Sequence, residues 1–115
     1  MNVCYYLSSC DTCKRILKTL ELPADVVLID IKKNPLNAVQ LDQLYQHTNS
    51  YEALLNKRAQ KLKAMNKVDL NEATIKELLL SHYTFLKRPV LSFNNQLFVG
   101  NAKAIIAAAK DALDG

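Results

Sequence analysis

The chain has 115 residues, 50% of them hydrophobic and 23% charged, with a formal net charge of +4 at pH 7. This balance is typical of one globular domain with its own core. The 3 cysteines are too few for a disulfide-stabilised scaffold, and no apolar stretch approaches the roughly 18 residues of a membrane span. The positive charges form no block, so we expect a solvated surface and no direct binding of nucleic acid.

The start of the chain predicts a β-α-β unit. Val3 to Leu7 is a short apolar run, and Asp11 to Glu21 has an apolar stripe at helical spacing. Val26 to Ile31 (VVLIDI) is nearly continuously apolar and rich in β-branched residues, which predicts a strand covered on both faces. The two strands should therefore be parallel, with a right-handed crossover.

The middle of the chain predicts helices. Apolar residues recur there at helical spacing, and Asn71 is in the position of an N-cap. The predicted segments are Leu36–His47, Tyr51–Leu55 as a short helix or turn, Ala59–Met65 and Asn71–Tyr83.

The end of the chain predicts a hairpin and a final helix. Pro89 to Phe93 and Gln96 to Val99 read as strands on either side of Asn94-Asn95, and asparagine tolerates the positive φ of a tight turn. Ala102 to Leu113 is an alanine-rich helix, which should pack closely on the sheet.

Two of the cysteines, Cys10 and Cys13, lie one helical turn apart where the first strand gives way to a helix. Free N–H groups at a helix start favour a thiolate, and Lys14 and Arg15 add positive charge. These effects lower a thiol pKa, and the thiolate is the nucleophile. Cys10 is therefore predicted to attack, and Cys13 to resolve the mixed disulfide.

Two other interpretations of the pair stay open. A C-x-x-C motif can be half of a zinc site, but the remaining candidate ligands are Cys4, His47 and His82, and none is paired at ligand spacing. The pair can also be two inert buried thiols. We expect no metal, and we expect Cys4 to be a small buried residue of the first strand.

Three stretches carry a family resemblance: YYLSSCDTCKRIL (5–17), YEALLNKRAQKLKAM (51–65) and FLKRPVLSF (85–93). Together they resemble the arsenate reductase (ArsC)-like family of thioredoxin-fold proteins, nearest in pattern to its Spx-type and YffB-type members. The resemblance implies an α/β, thioredoxin-like (glutaredoxin-like) fold with a four-stranded mixed sheet. It also implies a single domain, residues 1–115, with a helical insertion at about residues 36–83 between the second and third strands.

The resemblance also implies roles for particular residues. Cys10 would be the redox-active nucleophile, supported by Lys14, and Arg88 would bind the anionic part of a substrate. Arg58 matches the Spx-like and YffB-like pattern. Pro89 would follow a cis peptide bond and lie against the cysteine motif, which keeps the backbone of this loop available to a bound peptide or glutathione.

Two departures weigh against arsenate as the substrate. Family members that reduce arsenate hold it with three arginines, and Arg88 matches one of them. Asn56 stands where a second is expected, and the third would fall in LFVGNAK (97–103), which has no arginine. Because an oxyanion needs charge-assisted donors, we expect little or no arsenate reduction.

The leading prediction is a thiol–disulfide oxidoreductase that uses Cys10 and Cys13, with glutathione, glutaredoxin or thioredoxin as electron donor. No bound cofactor is expected, and glutathione would be a co-substrate. The alternative is an Spx-type regulator that senses oxidation through the same pair and binds RNA polymerase at the C-terminal domain of its α subunit. The Spx-type regulators have a glycine at the position of Ser50, and this difference weakens the regulator interpretation. The first residues lack the features of a signal peptide, so we expect a cytoplasmic monomer with no membrane partner.

Overall fold

The computed structural model describes residues 2–65 and 69–115. The chain divides into two compact units: the first joins the chain up to Asn34 with Arg88–Gly115, and the second is Pro35–Lys87. The predicted insertion at 36–83 falls within the second unit, although residues 66–68 lie outside the described part. The single-domain organisation stays a prediction.

The elements follow one another largely as the sequence predicts. In chain order they are β1 (Val3–Tyr6), α1 (Asp11–Leu20), β2 (Val27–Asp30), α2 (Ala38–Thr48), α3 (Gln60–Ala64), α4 (Glu72–Ser81), β3 (Val90–Phe93), β4 (Gln96–Val99) and α5 (Lys103–Asp114), with short 3₁₀ turns at Glu52–Leu54 and Tyr83–Phe85.

The first unit is built on a four-stranded mixed sheet with the order β2-β1-β3-β4. β1 pairs with β2 in parallel and with β3 antiparallel, and β3 pairs with β4 antiparallel. The β3–β4 turn has Asn94 and Asn95 at φ of 49° and 63°. Asparagine adopts this left-handed region more readily than most residues, so the turn predicted from Asn-Asn is confirmed.

One face of this sheet packs against α1 and α5. The register places Leu28, Cys4, Leu91 and Phe98 side by side in one row across all four strands. Cys4 and Leu91 are buried in this row, together with Ile16 and Leu20 of α1 and Ala109 of α5. Cys4 is therefore a buried core residue, as predicted, and Ala109 is the close contact of the alanine-rich helix.

The prediction that the VVLIDI strand is covered on both faces is wrong. Val27 is 47% exposed and Leu28 is 52% exposed, although both lie within β2. The reason is the strand order: β2 is an edge of the sheet, and the apolar cover of the central strands does not extend over it. A continuous apolar run is typical of a central parallel strand, and here it forms an edge.

The second unit is helical, and asparagines begin two of its helices. The Asn71 side chain accepts a hydrogen bond from the Thr74 N–H at 2.9 Å, which confirms the predicted N-cap of α4. Asn37 caps α2 through a reciprocal pair of bonds with Gln40. An isolated antiparallel bridge joins Leu55 to Leu86. Across both units, none of the helices in residues 2–65 and 69–115 is long and apolar enough to cross a membrane.

Candidate functional site

Cys10 is the residue from which α1 begins. It is the N-cap, with extended backbone angles (φ −99°, ψ 114°), and its carbonyl accepts the first helical bond from the Lys14 N–H at 3.1 Å. Its own N–H donates to the Leu7 carbonyl at 3.0 Å, which closes a turn over residues 7–10. The residue is partly exposed.

Cys13 lies one turn further along α1 and is only 1% exposed. Its thiol and that of Cys10 each affect the pKa of the other. All three cysteines of the chain are free thiols. The structure therefore brings the predicted pair together, with one residue partly exposed and the other buried.

The surroundings of Cys10 favour its thiolate. Partial burial raises the pKa of this thiol, but opposing effects outweigh it and lower the pKa overall. These are hydrogen bonds from the backbone and the thiol of Cys13, the positive charge of Arg88, and a bond from the Thr12 backbone. The backbone bonds are those that a helix start offers to an anion.

The other two thiols are held neutral. Burial, as the largest cause, raises the pKa of Cys13 to about 11, and the bond and charge of Cys10 act in the same direction. Burial likewise raises the pKa of Cys4 to about 12, with a further contribution from Cys13. Only Cys10 therefore has the character of an acidic thiol.

Arg88 and Pro89 lie just before β3, in the same unit as the cysteines. The peptide bond between them is cis, as the family resemblance implies. The Pro89 carbonyl accepts a bond from the Gly100 N–H at 2.9 Å, so this carbonyl is already engaged within the protein. Arg88 is partly buried, and its charge lowers the pKa of both Cys10 and Cys13.

The remaining candidate residues are either exposed or engaged in structural hydrogen bonds. Lys14 and Arg15 are exposed on α1, and Arg88 is the cation whose charge lowers the Cys10 pKa. Arg58 belongs to the second unit and is exposed there, so its role stays a prediction. Asn56 is used structurally: its side chain donates to the Thr84 carbonyl at 3.3 Å and accepts from the Arg58 N–H at 3.1 Å.

One feature of the site was missed at the sequence level. The Asp30 carboxylate, at the end of β2, accepts hydrogen bonds from the hydroxyl and the N–H of Ser8, which lies two residues before Cys10. The signal was a single acid inside the apolar run VVLIDI. An ionisable group within such a run needs a polar partner once it is buried, and Ser8 was available.

The described residues offer no metal centre. Within residues 2–65 and 69–115, no three His, Cys, Asp or Glu side chains converge in a way that could hold an ion. The donors at the site are two thiols, a guanidinium and backbone N–H groups. This set suits thiol chemistry and the binding of an anion.

Comparison with known proteins places the chain in a family. The ArsC family profile matches residues 5–109, so the chain belongs to the ArsC family. Among curated protein sequences, no significant match was found. The family and the thioredoxin-like fold predicted from the sequence are both confirmed.

Solved structures with the same architecture cover almost the whole chain. A protein named YFFB has 25% identity and a TM-score of 0.79, over 98% of this chain and 99% of its own. An arsenate reductase (ArsC) related protein from Brucella melitensis has 31% identity and a TM-score of 0.69, over 93% and 92%. Arsenate reductase from Vibrio cholerae, with 16% identity and a TM-score of 0.70 over 97% of both chains, shows the fold alone.

The charge of Arg88 gives a direct prediction. Arg88→Met should raise the pKa of Cys10, because it removes a cation that stabilises the thiolate. The thiolate's ultraviolet absorbance, followed against pH, measures the change. Lys14→Met, which removes an exposed cation of α1, should move the titration less. A larger shift in Lys14→Met than in Arg88→Met would contradict this assignment.

Proposed function

We propose that this chain is a thiol–disulfide oxidoreductase in which Cys10 attacks and Cys13 resolves. One observation carries the proposal: two thiols one helical turn apart, one in a partly exposed residue with a lowered pKa and the other buried with a pKa of about 11. Such asymmetry divides the roles of nucleophile and resolving thiol between the two residues. Membership of the ArsC family supports the same chemistry.

The proposed reaction has two exchange steps. The Cys10 thiolate attacks one sulfur of a substrate disulfide, a Cys10–substrate disulfide forms, and the other substrate sulfur leaves as a thiolate. Cys13 then gives its proton to that leaving thiolate and attacks the Cys10 sulfur. The second substrate sulfur leaves as a thiolate and takes a proton from water. The products are a Cys10–Cys13 disulfide and two substrate thiols, so the substrate is reduced by the electron pair that the protein loses.

A thiol donor then returns the pair to its reduced form. We propose glutathione, glutaredoxin or thioredoxin as this donor, with Arg88 binding a carboxylate of glutathione or of a protein substrate. A guanidinium suits that task because it presents a fork of donors to a carboxylate. Pro89 follows Arg88 in the loop that would meet the substrate.

Two related activities are not proposed. The Asn56 amide is engaged with Thr84 and Arg58, so the position where arsenate reducers are expected to have an arginine is structural here. Ser50, where the Spx-type pattern has glycine, accepts a bond from the Ala53 N–H at 3.2 Å through its hydroxyl. Nothing in the described residues favours binding to RNA polymerase.

The test follows the disulfide bonds. Reduced protein is treated with bis(2-hydroxyethyl) disulfide, and its cysteine pairing is mapped by mass spectrometry under non-reducing conditions. Wild-type protein should form the Cys10–Cys13 bond, whereas Cys13→Ser should accumulate a mixed disulfide at Cys10. Cys4→Ala, a matched loss of a thiol, should behave as wild type. A dominant bond to Cys4, or no bond, would contradict the proposal.

A second arm identifies the donor. The oxidised protein is offered glutathione with glutaredoxin and glutathione reductase, or thioredoxin with its reductase, and consumption of the reduced nicotinamide is measured. The donor that restores the thiols defines the coupling. Arsenate is added as a separate substrate, and we expect little or no turnover with either donor. Failure of both donors to reduce the Cys10–Cys13 bond would count against an enzymatic role.

A further inference from the structure

Asp30 is the one charged side chain that is buried among the described residues, at 7% exposure. It ends β2, and its backbone is fixed on both sides. Its carbonyl accepts bonds from the N–H groups of Lys33 at 3.1 Å and Asn34 at 2.8 Å, and the next N–H, of Ile31, donates to the Tyr6 carbonyl at 2.9 Å. A buried acid held this firmly requires compensating hydrogen bonds.

The carboxylate finds those bonds in the turn that precedes the nucleophile. One oxygen accepts the Ser8 N–H at 3.4 Å and the Lys32 N–H at 3.2 Å, and the other accepts the Ser8 hydroxyl. The Ser8 hydroxyl bond lowers the pKa of Asp30 against the effect of burial, and the backbone bonds and the Lys33 charge add to this. Asp30 is therefore a carboxylate at neutral pH, with three donors directed at it.

Ser8 lies inside the turn over residues 7–10, which the bond from the Cys10 N–H to the Leu7 carbonyl closes. The end of β2 is thus connected through one serine to the turn that sets the backbone of Cys10. The backbone conformation of Cys10 determines whether its sulfur faces the hydrogen-bond donors of Thr12 and Cys13 and the positive charge of Arg88. Asp30 itself is not among the groups whose charge shifts the Cys10 pKa most.

We infer that Asp30 is a positioning residue for the nucleophile: through Ser8 it holds the 7–10 turn in the conformation that aims Cys10 at its stabilising donors. The inference rests on the proposed function, because it assigns a task to Asp30 only if Cys10 is the attacking thiol. It assigns no contact between Asp30 and a substrate.

The sign of the effect separates positioning from simple electrostatics. A carboxylate that acted only through its field would repel a thiolate, so its removal would make Cys10 more reactive. A carboxylate that positions the turn has the opposite effect, because its removal lets the sulfur leave its donors. The Asp30→Asn variant separates the positioning role from the electrostatic one. It removes the negative charge of the side chain but keeps an oxygen that can accept the N–H bonds.

The experiment measures the rate of alkylation of Cys10 by iodoacetamide as a function of pH, with the labelled peptide identified by mass spectrometry. Asp30→Ala should slow labelling at pH 6.5 by about tenfold, the factor that one unit of thiol pKa produces below its midpoint. Asp30→Asn should stay within about twofold of wild type, since the N–H acceptor is kept. Ser8→Ala, which removes only the hydroxyl bond, should fall between them.

The matched control is Asp25→Ala. Asp25 lies just before the opposite end of β2, is exposed, and accepts a bond from Asn2 at 3.1 Å. In the Asp25→Ala variant, Cys10 should be labelled at the wild-type rate. Circular dichroism tests whether each variant is folded. If Asp30→Ala does not fold, Ser8→Ala becomes the deciding variant, because it leaves the carboxylate in place.

Two results would overturn the inference: Asp30→Ala and Ser8→Ala both labelling like Asp25→Ala, or faster labelling in Asp30→Ala and Asp30→Asn. Wild-type protein supplies the separate test of the proposed function. If wild-type Cys10 itself labels like an ordinary cysteine, the proposed function fails, and this inference fails with it. An acidic wild-type Cys10 that Asp30→Ala and Ser8→Ala both leave unchanged rejects the positioning role alone.

Discussion

Cys13→Ser and Cys10→Ser are expected to differ by at least about tenfold in their rate of alkylation at pH 7, with Cys13→Ser the faster. The first variant keeps the accessible thiol whose pKa is lowered, and the second keeps only the buried thiol of the pair. Iodoacetamide labelling followed from pH 5 to 10 measures the difference, and peptide mapping assigns each label to its cysteine.

The size of the difference follows from the two thiolate populations. With a pKa of about 11, about one Cys13 side chain in 10⁴ is ionised at pH 7. Cys10 has a pKa below its ordinary value of 9.0, so more than about one in 100 is ionised. The less basic Cys10 thiolate is also the less nucleophilic one. The hundredfold difference in thiolate population is therefore reduced to about a tenfold difference in alkylation rate. The limited access to Cys13 widens it again.

Removing Cys10 takes away two of the causes that raise the Cys13 pKa, but burial, the largest, remains. The order of the two rates should therefore persist in the variants. Cys4, with a pKa of about 12 and no exposure, should take up no label in either protein. Reversed rates would make Cys13 the nucleophile, and two rates typical of free cysteine would remove the main support for the proposed enzyme.

Leu91→Ala should lower the free energy of unfolding by about 3 kcal/mol, within the range for a buried leucine that leaves a cavity. Leu91 is 2% exposed and lies in the central strand β3, in the core cluster formed with α1 and α5. Urea denaturation followed by circular dichroism gives the change as a lower midpoint.

The control is Leu28→Ala, in the same cross-strand row and on the same face of the sheet. Leu28 is 52% exposed in the edge strand β2, so its truncation should cost below about 1 kcal/mol. Both variants lose the same atoms, and only their burial differs. Equal losses in the two proteins would mean that the row is covered from end to end, contrary to the structure.

The sequence predicts the sheet well but not where its edges lie. Apolar runs and the Asn94-Asn95 turn indicate the strands, and the β-α-β order predicts the parallel pair that β1 and β2 form. An apolar run reports only that its side chains are hydrophobic. Which strand lies beside it depends on pairings between distant segments, so Val27 and Leu28 were predicted to be covered and are exposed.

In the site too, the features set by local sequence can be predicted, and those set by contacts between distant segments cannot. The spacing of Cys10 and Cys13 at a helix start predicts both their proximity and their asymmetry, because these depend on local geometry. The charge of Arg88 also lowers the Cys10 pKa, and local spacing cannot place it there because Arg88 is distant in sequence. Asp30 was missed for the same reason, since its link to Ser8 exists only once β2 lies beside β1.

The first unit is discontinuous in sequence, and this has a consequence for biosynthesis. Its central strand β1 emerges from the ribosome with both cysteines, but β3 and Arg88 follow only after all of Pro35–Lys87 has been made. Throughout that interval the edge of β1 that pairs with β3 has no partner strand, and Cys10 lacks the Arg88 charge. Such long-range pairing is intrinsically late in folding. A message cut short before β3 therefore yields a product that has the C-x-x-C motif but neither the sheet nor the full electrostatic activation of its thiol.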